Sequence, residues 1–466
     1  MKLTFIEKIS FGFGGGVNAV KTDFFVWYLG VYYLTVVGLN PLYTGTALLI
    51  ALIFDAFSDP LIGAFSDRIK SKFGRRHSLM LLSLAPITLS YYLLFIPPDL
   101  ILDHQFNTFL WLTIFSILTR FFVSLFEIPH KALAVEIPKS YEDKASIMSL
   151  REGFQSLIAL SHSFLILPLI GFQNDMSDWS AVGQVGAALM FAFGLISILG
   201  TLSLVPKLPK WEGNENSVLK DKVSQLKGEF GYVLLNKPLR IFLLGSISIQ
   251  IAWGLANSLT FLTQTQFWDL TPLQIRNFVA IYFLTAAFSW FLTPKLVKSF
   301  DKKRLVIVCL LLIGVFHSAP YALYKIGLAP AAGSNEIIQF LSIFLFLTGI
   351  FSIMSLMVRE SMIPDVVDEI HASTGLRQDG TISALTSFCA KCMTGFGQFF
   401  SMLILWIIGY PSEGSATLMQ REYLAIAHGP LVFLMFVIPI ILFMQYPISR
   451  SKHRQIIGKL NQQKKL

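Results

Sequence analysis

Twelve apolar stretches, each long enough to cross a bilayer, recur near 11–37, 43–66, 78–97, 106–135, 146–171, 180–205, 238–266, 273–297, 304–325, 336–362, 382–409 and 422–447. A hydrocarbon core about 30 Å thick needs about 20 apolar residues of helix. Such segments spanning lipid must satisfy their backbone groups internally, which a helix does. The rest of the composition agrees. Charged residues are 14% of the 466, against about 25% in soluble domains. Hydrophobic residues are 54%, mean hydropathy is +0.62, and the 42 phenylalanines suit lipid-facing helix surface. The expectation is an all-α membrane protein of twelve transmembrane helices.

The net charge of +9 raises the question of nucleic acid, but its distribution points to the membrane. Arg68, Lys70, Lys72, Arg75 and Arg76 crowd the second loop. Lys207, Lys210, Lys220, Lys222 and Lys227 lie in the middle connection, Lys302, Lys303 and Arg304 after the eighth span, and Arg450, Lys452 and Arg454 after the last. The alternate loops 38–43, 97–107 and 171–181 carry no Lys or Arg. This pattern predicts an even number of spans with both termini cytoplasmic, in a plasma (inner) membrane. The apolar run after Lys2 and Lys8 lacks a small-residue cleavage site, so it reads as a retained first helix. The three cysteines fall in apolar segments, and Cys389-x-x-Cys392 reads as packing, since redox chemistry needs an exposed, activated thiolate.

The longest polar stretch divides the chain into residues 1–205, a linker 206–237, residues 238–449 and a cytoplasmic tail 450–466. Within the linker, Val218–Leu235 has the periodicity of an amphipathic helix. An echo suggests duplication: Asp67-Arg68 with a basic cluster follows span two, and Asp301 with Lys302, Lys303 and Arg304 follows span eight. Asp plus a basic cluster between helices two and three of each half resembles the loop signature of the major facilitator superfamily. The resemblance implies two six-helix halves, with Asp67, Arg68 and Asp301 gating the cytoplasmic side by capping a helix or pairing with Arg.

The chemistry lies in polar residues inside the spans. Asp55 and Asp59 are four apart, hence on one helical face. A lone carboxylate near the bilayer centre costs roughly 2.5–3.5 kcal/mol, so such groups normally serve a pathway. Two together repel, and are relieved by a shared proton or by a cation between them. Span one adds Asn18, Lys21, Thr22 and Asp23; span four adds Ser124, Glu127, His130, Lys131 and Glu136; span five adds Arg151 and Glu152; span eleven adds Lys391.

Asp55-Ala-Phe-Ser-Asp59-Pro-Leu-Ile-Gly63 resembles the helix-two motif of the glycoside–pentoside–hexuronide:cation symporters. Phe126-Glu127-Ile-Pro129, Ser149-Leu-Arg151-Glu152, and Ile363-Pro-Asp365-Val-Val-Asp368-Glu369 through Lys391 resemble that family's helix four, the start of helix five, and the loop ten–eleven signature with its helix-eleven Lys. The resemblance implies a cation site of Asp55, Ser58, Asp59 and Ser124, whose oxygens suit a hard ion such as Na⁺. A proton shared by Asp55 and Asp59 is the other possibility. It implies substrate contacts from Glu127 and Arg151, with Lys391 between the two sites. The helix-one acidic position of sugar-binding members falls on Ala19, and Asp23 lies one turn beyond on the same face. An aromatic helix-four position falls on Lys131. Lys21, Lys131, Arg151 and Lys391 together suit an anionic sugar.

The implied function is symport of a sugar or glycoside-like solute with Na⁺ or H⁺ by alternating access, as the two halves rock around a central site. No cofactor beyond the coupling ion is expected. The expected partners are a small carbohydrate solute and the bilayer, not nucleic acid, and the expected state is a monomer. A carrier of lysolipids is the alternative, since eukaryotic lysolipid carriers share a similar helix-two pattern. A non-transporting sensor is the alternative of another class. An enzyme is disfavoured: H-E-x-x-H, nucleophile-elbow and P-loop patterns are missing, and the eight histidines are scattered.

Overall fold

The computed structural model describes residues 4–66, 69, 71–136, 141–170, 176–207, 236–374, 379–412 and 416–463. Every regular element among them is a helix. In chain order these are α1 (Phe5–Phe13), α2 (Gly15–Trp27), α3 (Leu29–Thr35), α4 (Pro41–Ser66), α5 (Arg75–Leu93), α6 (Asp99–Leu102), α7 (Gln105–Glu136), α8 (Tyr141–Ile166) and α9 (Met176–Thr201). They continue as α10 (Lys237–Gln266), α11 (Pro272–Ser299), α12 (Lys302–Lys325), α13 (Asn335–Thr374), α14 (Asp379–Ile407), α15 (Leu418–His428), α16 (Pro430–Met444) and α17 (Arg450–Gln463). Among the described residues, eight helical spans are long and apolar enough to cross a membrane. Helices α1–α3, α5, α8 and α14 occupy the remaining four predicted positions. The predicted linker helix 218–235 lies outside the described residues.

Two predicted spans are broken. The first divides at Gly14 and Tyr28, and the last at Gly429. Gly14 sits against two neighbours from other helices: a Cβ there would lie 2.6 Å from Ser197 Oγ and closer still to the His130 ring. Gly14 keeps helical dihedrals (φ −60°, ψ −24°), so the interruption is slight, and the crowding explains the glycine. The helix start is set locally by a capping box, in which Thr4 accepts from the Glu7 amide and the Glu7 carboxylate accepts from the Thr4 amide.

A third difference concerns the predicted loop ten–eleven signature. The chain around Pro364 is helical, and α13 runs through it to Thr374, about 60 Å at 1.5 Å per residue. The far end is held by tertiary polar contacts. Lys302 Nζ lies 2.7 Å from Asp365 Oδ2, and His453 Nε2 lies 3.2 Å from Asp368 Oδ2. These partners come from the start of α12 and from α17 and are invisible to a local pattern.

The chain forms two compact units. The first comprises 1–219, 271–276 and 398–416; the second comprises 220–270, 277–397 and 417–466. In the first, α4 packs along α7, α5 along α7 and α9, and α2 along α8. In the second, α12 packs along α13 and α16, and α10 along α16. Thus α5 and α12, the third helix of each half, take equivalent neighbours, as a duplication requires. Tyr32 and Tyr33 pin the first span to α5, their hydroxyls donating to the carbonyls of Phe95 (3.0 Å) and Leu94 (2.8 Å).

Within the second unit α14 meets α10 backbone to backbone. A Cβ on Gly397 would lie 2.7 Å from Gly254 Cα and 2.8 Å from Leu255 N. Small residues permit such approach where helices associate in lipid. Gly397→Ala is expected to destabilise the protein by about 1–3 kcal/mol through overpacking. Thermal melting in detergent checks this; an unchanged midpoint contradicts the close contact.

Candidate functional site

The side chains predicted for the cation site lie on α4 and α7, which pack along each other. Asp55 is buried, 3% exposed. Ser124 Oγ donates to its Oδ1 at 2.8 Å, joining two residues 69 apart in sequence. Asp59 follows one turn along α4 and is half-buried. Ser58 is buried beside them, but its hydroxyl donates to the main-chain carbonyl of Asp55 at 3.1 Å, so only its oxygen lone pairs remain for a cation. Among the described residues no three His, Cys, Asp or Glu gather as a metal cluster. The donor set is two carboxylates and two hydroxyls, oxygen chemistry that suits a hard monovalent ion or a proton.

Sequence reading missed one member of this group. Arg120, buried on α7, places Nη1 3.5 Å from Asp55 Oδ2. Its guanidinium lies over the Phe25 ring at 4.6 Å from the centroid. Asp59 also acts on it electrostatically. The signal was present. Arg120, Ser124, Glu127 and Lys131 stand at i, i+4, i+7 and i+11, one stripe of a helix, and an Arg within a long apolar run is an intramembrane charge like those that were singled out.

Farther along that stripe, Glu127 is the centre of a second ionic group. Its Oε1 lies 2.6 Å from Lys131 Nζ and 2.9 Å from Arg151 Nη2. The Arg151 side chain is 0% exposed and also pairs with Glu152, whose side chain is largely exposed. Arg151 Nε donates to His130 Nδ1 at 3.4 Å, and His130 Nε2 donates to the Phe11 carbonyl at 3.0 Å. A carbonyl only accepts and a guanidinium only donates, so this arrangement fits a neutral His130 protonated on Nε2. The His130 ring stacks on Phe11 at 4.1 Å. His130 thereby ties the broken first span to Arg151. It was noted in sequence as one polar residue among several, and its role depends on a carbonyl 119 residues away.

The other expected residues fall elsewhere. Asp23 is half-buried on α2 and acts electrostatically on Tyr91 of α5. The Lys391 side chain, Asp67 and Arg68 lie outside the described residues. Asp301 caps two helices: its Oδ1 accepts from the Lys303 amide (2.9 Å) and its Oδ2 from the Arg450 amide (2.8 Å). It thus joins the starts of α12 and α17 by the capping route. In the first unit the corresponding region carries a compact ionic cluster that sequence reading did not assemble. Arg75 and Arg76 each reach Glu136 Oε1, at 2.7 and 2.6 Å, and Arg76 also bonds Ser66.

Comparison with known proteins bears on the family and the fold. A model of the MFS/sugar transport protein family matches residues 10–450. The chain is similar to a proposed sulfoquinovose importer of Escherichia coli K12, 24% identical over 100% of this chain and 95% of that protein. It is also similar to the sodium-dependent lysophosphatidylcholine symporter 1 of Gallus gallus, 23% identical over 97% of this chain and 88% of that protein. Its fold is similar to the inward-open xylose transporter XylE of E. coli, with TM-score 0.57, 14% identity and 97% of both chains covered. Since the family model spans nearly the whole sequence, the chain belongs to the MFS/sugar transport protein family, and it is a membrane transporter and not an enzyme.

Proposed function

We propose that this transporter couples entry of Na⁺ or H⁺, taken at Asp55 and Asp59 with Ser58 and Ser124, to movement of a carbohydrate-like solute held by Glu127 and Arg151. The observation that carries the reading is the single stripe of α7. Ser124 on that stripe holds Asp55, and Glu127, three residues on, holds Arg151. A cation that reorders the first contact shifts the helix that presents the second, and linkage makes the coupling reciprocal. Lys131 and Arg151 meet at Glu127, and Glu152 pairs with Arg151, so the group balances its own charge and the case for a solute with an anionic substituent rests on relatedness. Similarity to a proposed sulfoquinovose importer supports that class.

Similarity to a lysophosphatidylcholine symporter supports a second reading, in which the solute is an amphipathic lipid. Uptake into proteoliposomes decides between them. The panel is a neutral glycoside, a carboxylated sugar, a sulfonated sugar and lysophosphatidylcholine, each with and without a Na⁺ or pH gradient. Gradient-driven uptake of an acidic sugar is expected. Uptake of lysophosphatidylcholine alone replaces the sugar reading with the lipid one.

The distribution of Lys and Arg among the loops supports a reading with both termini and the 206–237 connection on the cytoplasmic side of a plasma (inner) membrane. A cysteine introduced at Ser217 is therefore expected to react with an impermeant maleimide only after cells are opened. Labelling of intact cells contradicts that orientation.

A further inference from the structure

We propose that Arg120 is a tethered cation that competes with the coupling ion for Asp55, so that ion binding requires its guanidinium to leave the carboxylate. The inference rests on the cation site placed at Asp55 and Asp59.

The chemistry of the side chain is the first support. A guanidinium stays charged at any physiological pH, so Arg120 cannot leave the carboxylates by losing a proton. It leaves only by moving. Of the described charges gathered here, Asp55 and Asp59 are negative and Arg120 is positive.

The geometry is the second. A committed Arg–carboxylate pair is bidentate, with two N–H···O contacts of about 2.7–2.9 Å. Among the described residues the ion pair is one long contact, Nη1 to Asp55 Oδ2 at 3.5 Å. The other carboxylate oxygen is taken by the Ser124 hydroxyl. Arg120 Nε is buried with no hydrogen-bond partner among the described residues. This guanidinium is thus held less well than a structural one.

The third is an alternative place to rest. The Phe25 ring faces the guanidinium at 4.6 Å, within the range of a cation–π contact. A small displacement toward the ring frees Oδ2 for an ion while the charge stays partly compensated. Ser124, by rotating its hydroxyl, then offers a lone pair in place of its donated proton. Arg120 thereby sets how tightly the ion is held: a like charge beside the site weakens every cation, and its retreat is part of the binding step.

The test is Na⁺ binding to the purified full-length protein in detergent. It is measured calorimetrically at constant ionic strength with choline as the replacing ion. Arg120→Gln and Arg120→Met remove the charge with a polar and an apolar side chain, so that at least one fills the buried site. Arg120→Lys keeps the charge. Either neutral variant is expected to bind Na⁺ at least ~tenfold more tightly than wild type, because a like charge close to the ion is gone. The Lys variant, which restores a cation on a shorter reach, is expected to bind Na⁺ less tightly than either neutral variant. Weaker or unchanged Na⁺ binding in a folded neutral variant, or no response in either wild type or variant, overturns the proposal. Asp55→Asn separates the two ideas. If it abolishes Na⁺ binding while Arg120→Gln leaves affinity unchanged, the cation site stands and the tethered cation does not. If Asp55→Asn binds Na⁺ as wild type does, the cation site itself is misplaced.

Discussion

Asp55→Asn or Asp59→Asn is expected to reduce ion-driven solute accumulation to simple equilibration. A tenfold cation gradient at zero membrane potential is worth about 1.4 kcal/mol, enough for about tenfold accumulation of a solute carried with one cation, whether or not the solute is charged. A variant that no longer carries the ion has a limit of one. Asn keeps the size of Asp and its oxygen, and Ser124 can still donate to it, so the contact between α4 and α7 survives while the charge is lost. Facilitated exchange of solute across the membrane is therefore expected to continue. In the Asp55 variant the Arg120 guanidinium also loses its ion-pair partner, which adds a stability cost that Asp59→Asn lacks. Concentrative uptake alongside exchange, in the same vesicles, separates a coupling defect from misfolding. Accumulation against a gradient in either variant contradicts the assignment.

Glu127→Gln and Arg151→Gln are expected to weaken solute binding by far more than ~tenfold, since charge-assisted hydrogen bonds in a dry site are roughly twice as strong as neutral ones. The opposing view is that the two residues only clamp α7 to α8. Breaking a buried pair by removing one partner costs about 3–5 kcal/mol when the survivor is left alone. Here neither survivor is alone. With Glu127 neutral, Arg151 keeps Glu152. With Arg151 neutral, Glu127 keeps Lys131 at 2.6 Å. Both variants are therefore expected to fold with a modest fall in melting temperature, and affinity should carry the larger effect. A large melting shift with solute affinity preserved on the folded fraction assigns the pair to helix clamping instead.

The helical architecture was legible because an apolar run of about twenty residues has one stable solution in lipid. Its breaks were not. Gly14 reads as any glycine until His130 and Ser197 are seen against it, and Pro364 reads as a stop until Lys302 and His453 are seen holding the turn beyond it. The candidate site shows the same division. The spacing of Asp55 and Asp59 predicts a shared face, and resemblance to known symporters brought in Ser124. The hydrogen bond between Ser124 and Asp55 depends on how α4 and α7 pack. Arg120 was legible in principle from the stripe it shares with Ser124 and Glu127. It escaped because the family resemblance directs attention to the matching positions, and Arg120 is not one of them.

The measurement that bears most directly on the central claim is cation entry driven by solute. Proteoliposomes containing the wild-type protein are held without an imposed cation gradient, and an inward solute gradient is applied while internal Na⁺ and pH are followed. Inward movement of Na⁺ or H⁺ that requires solute, and that disappears in Asp59→Asn, is the predicted result. Solute entry that moves neither ion contradicts coupled symport by this protein.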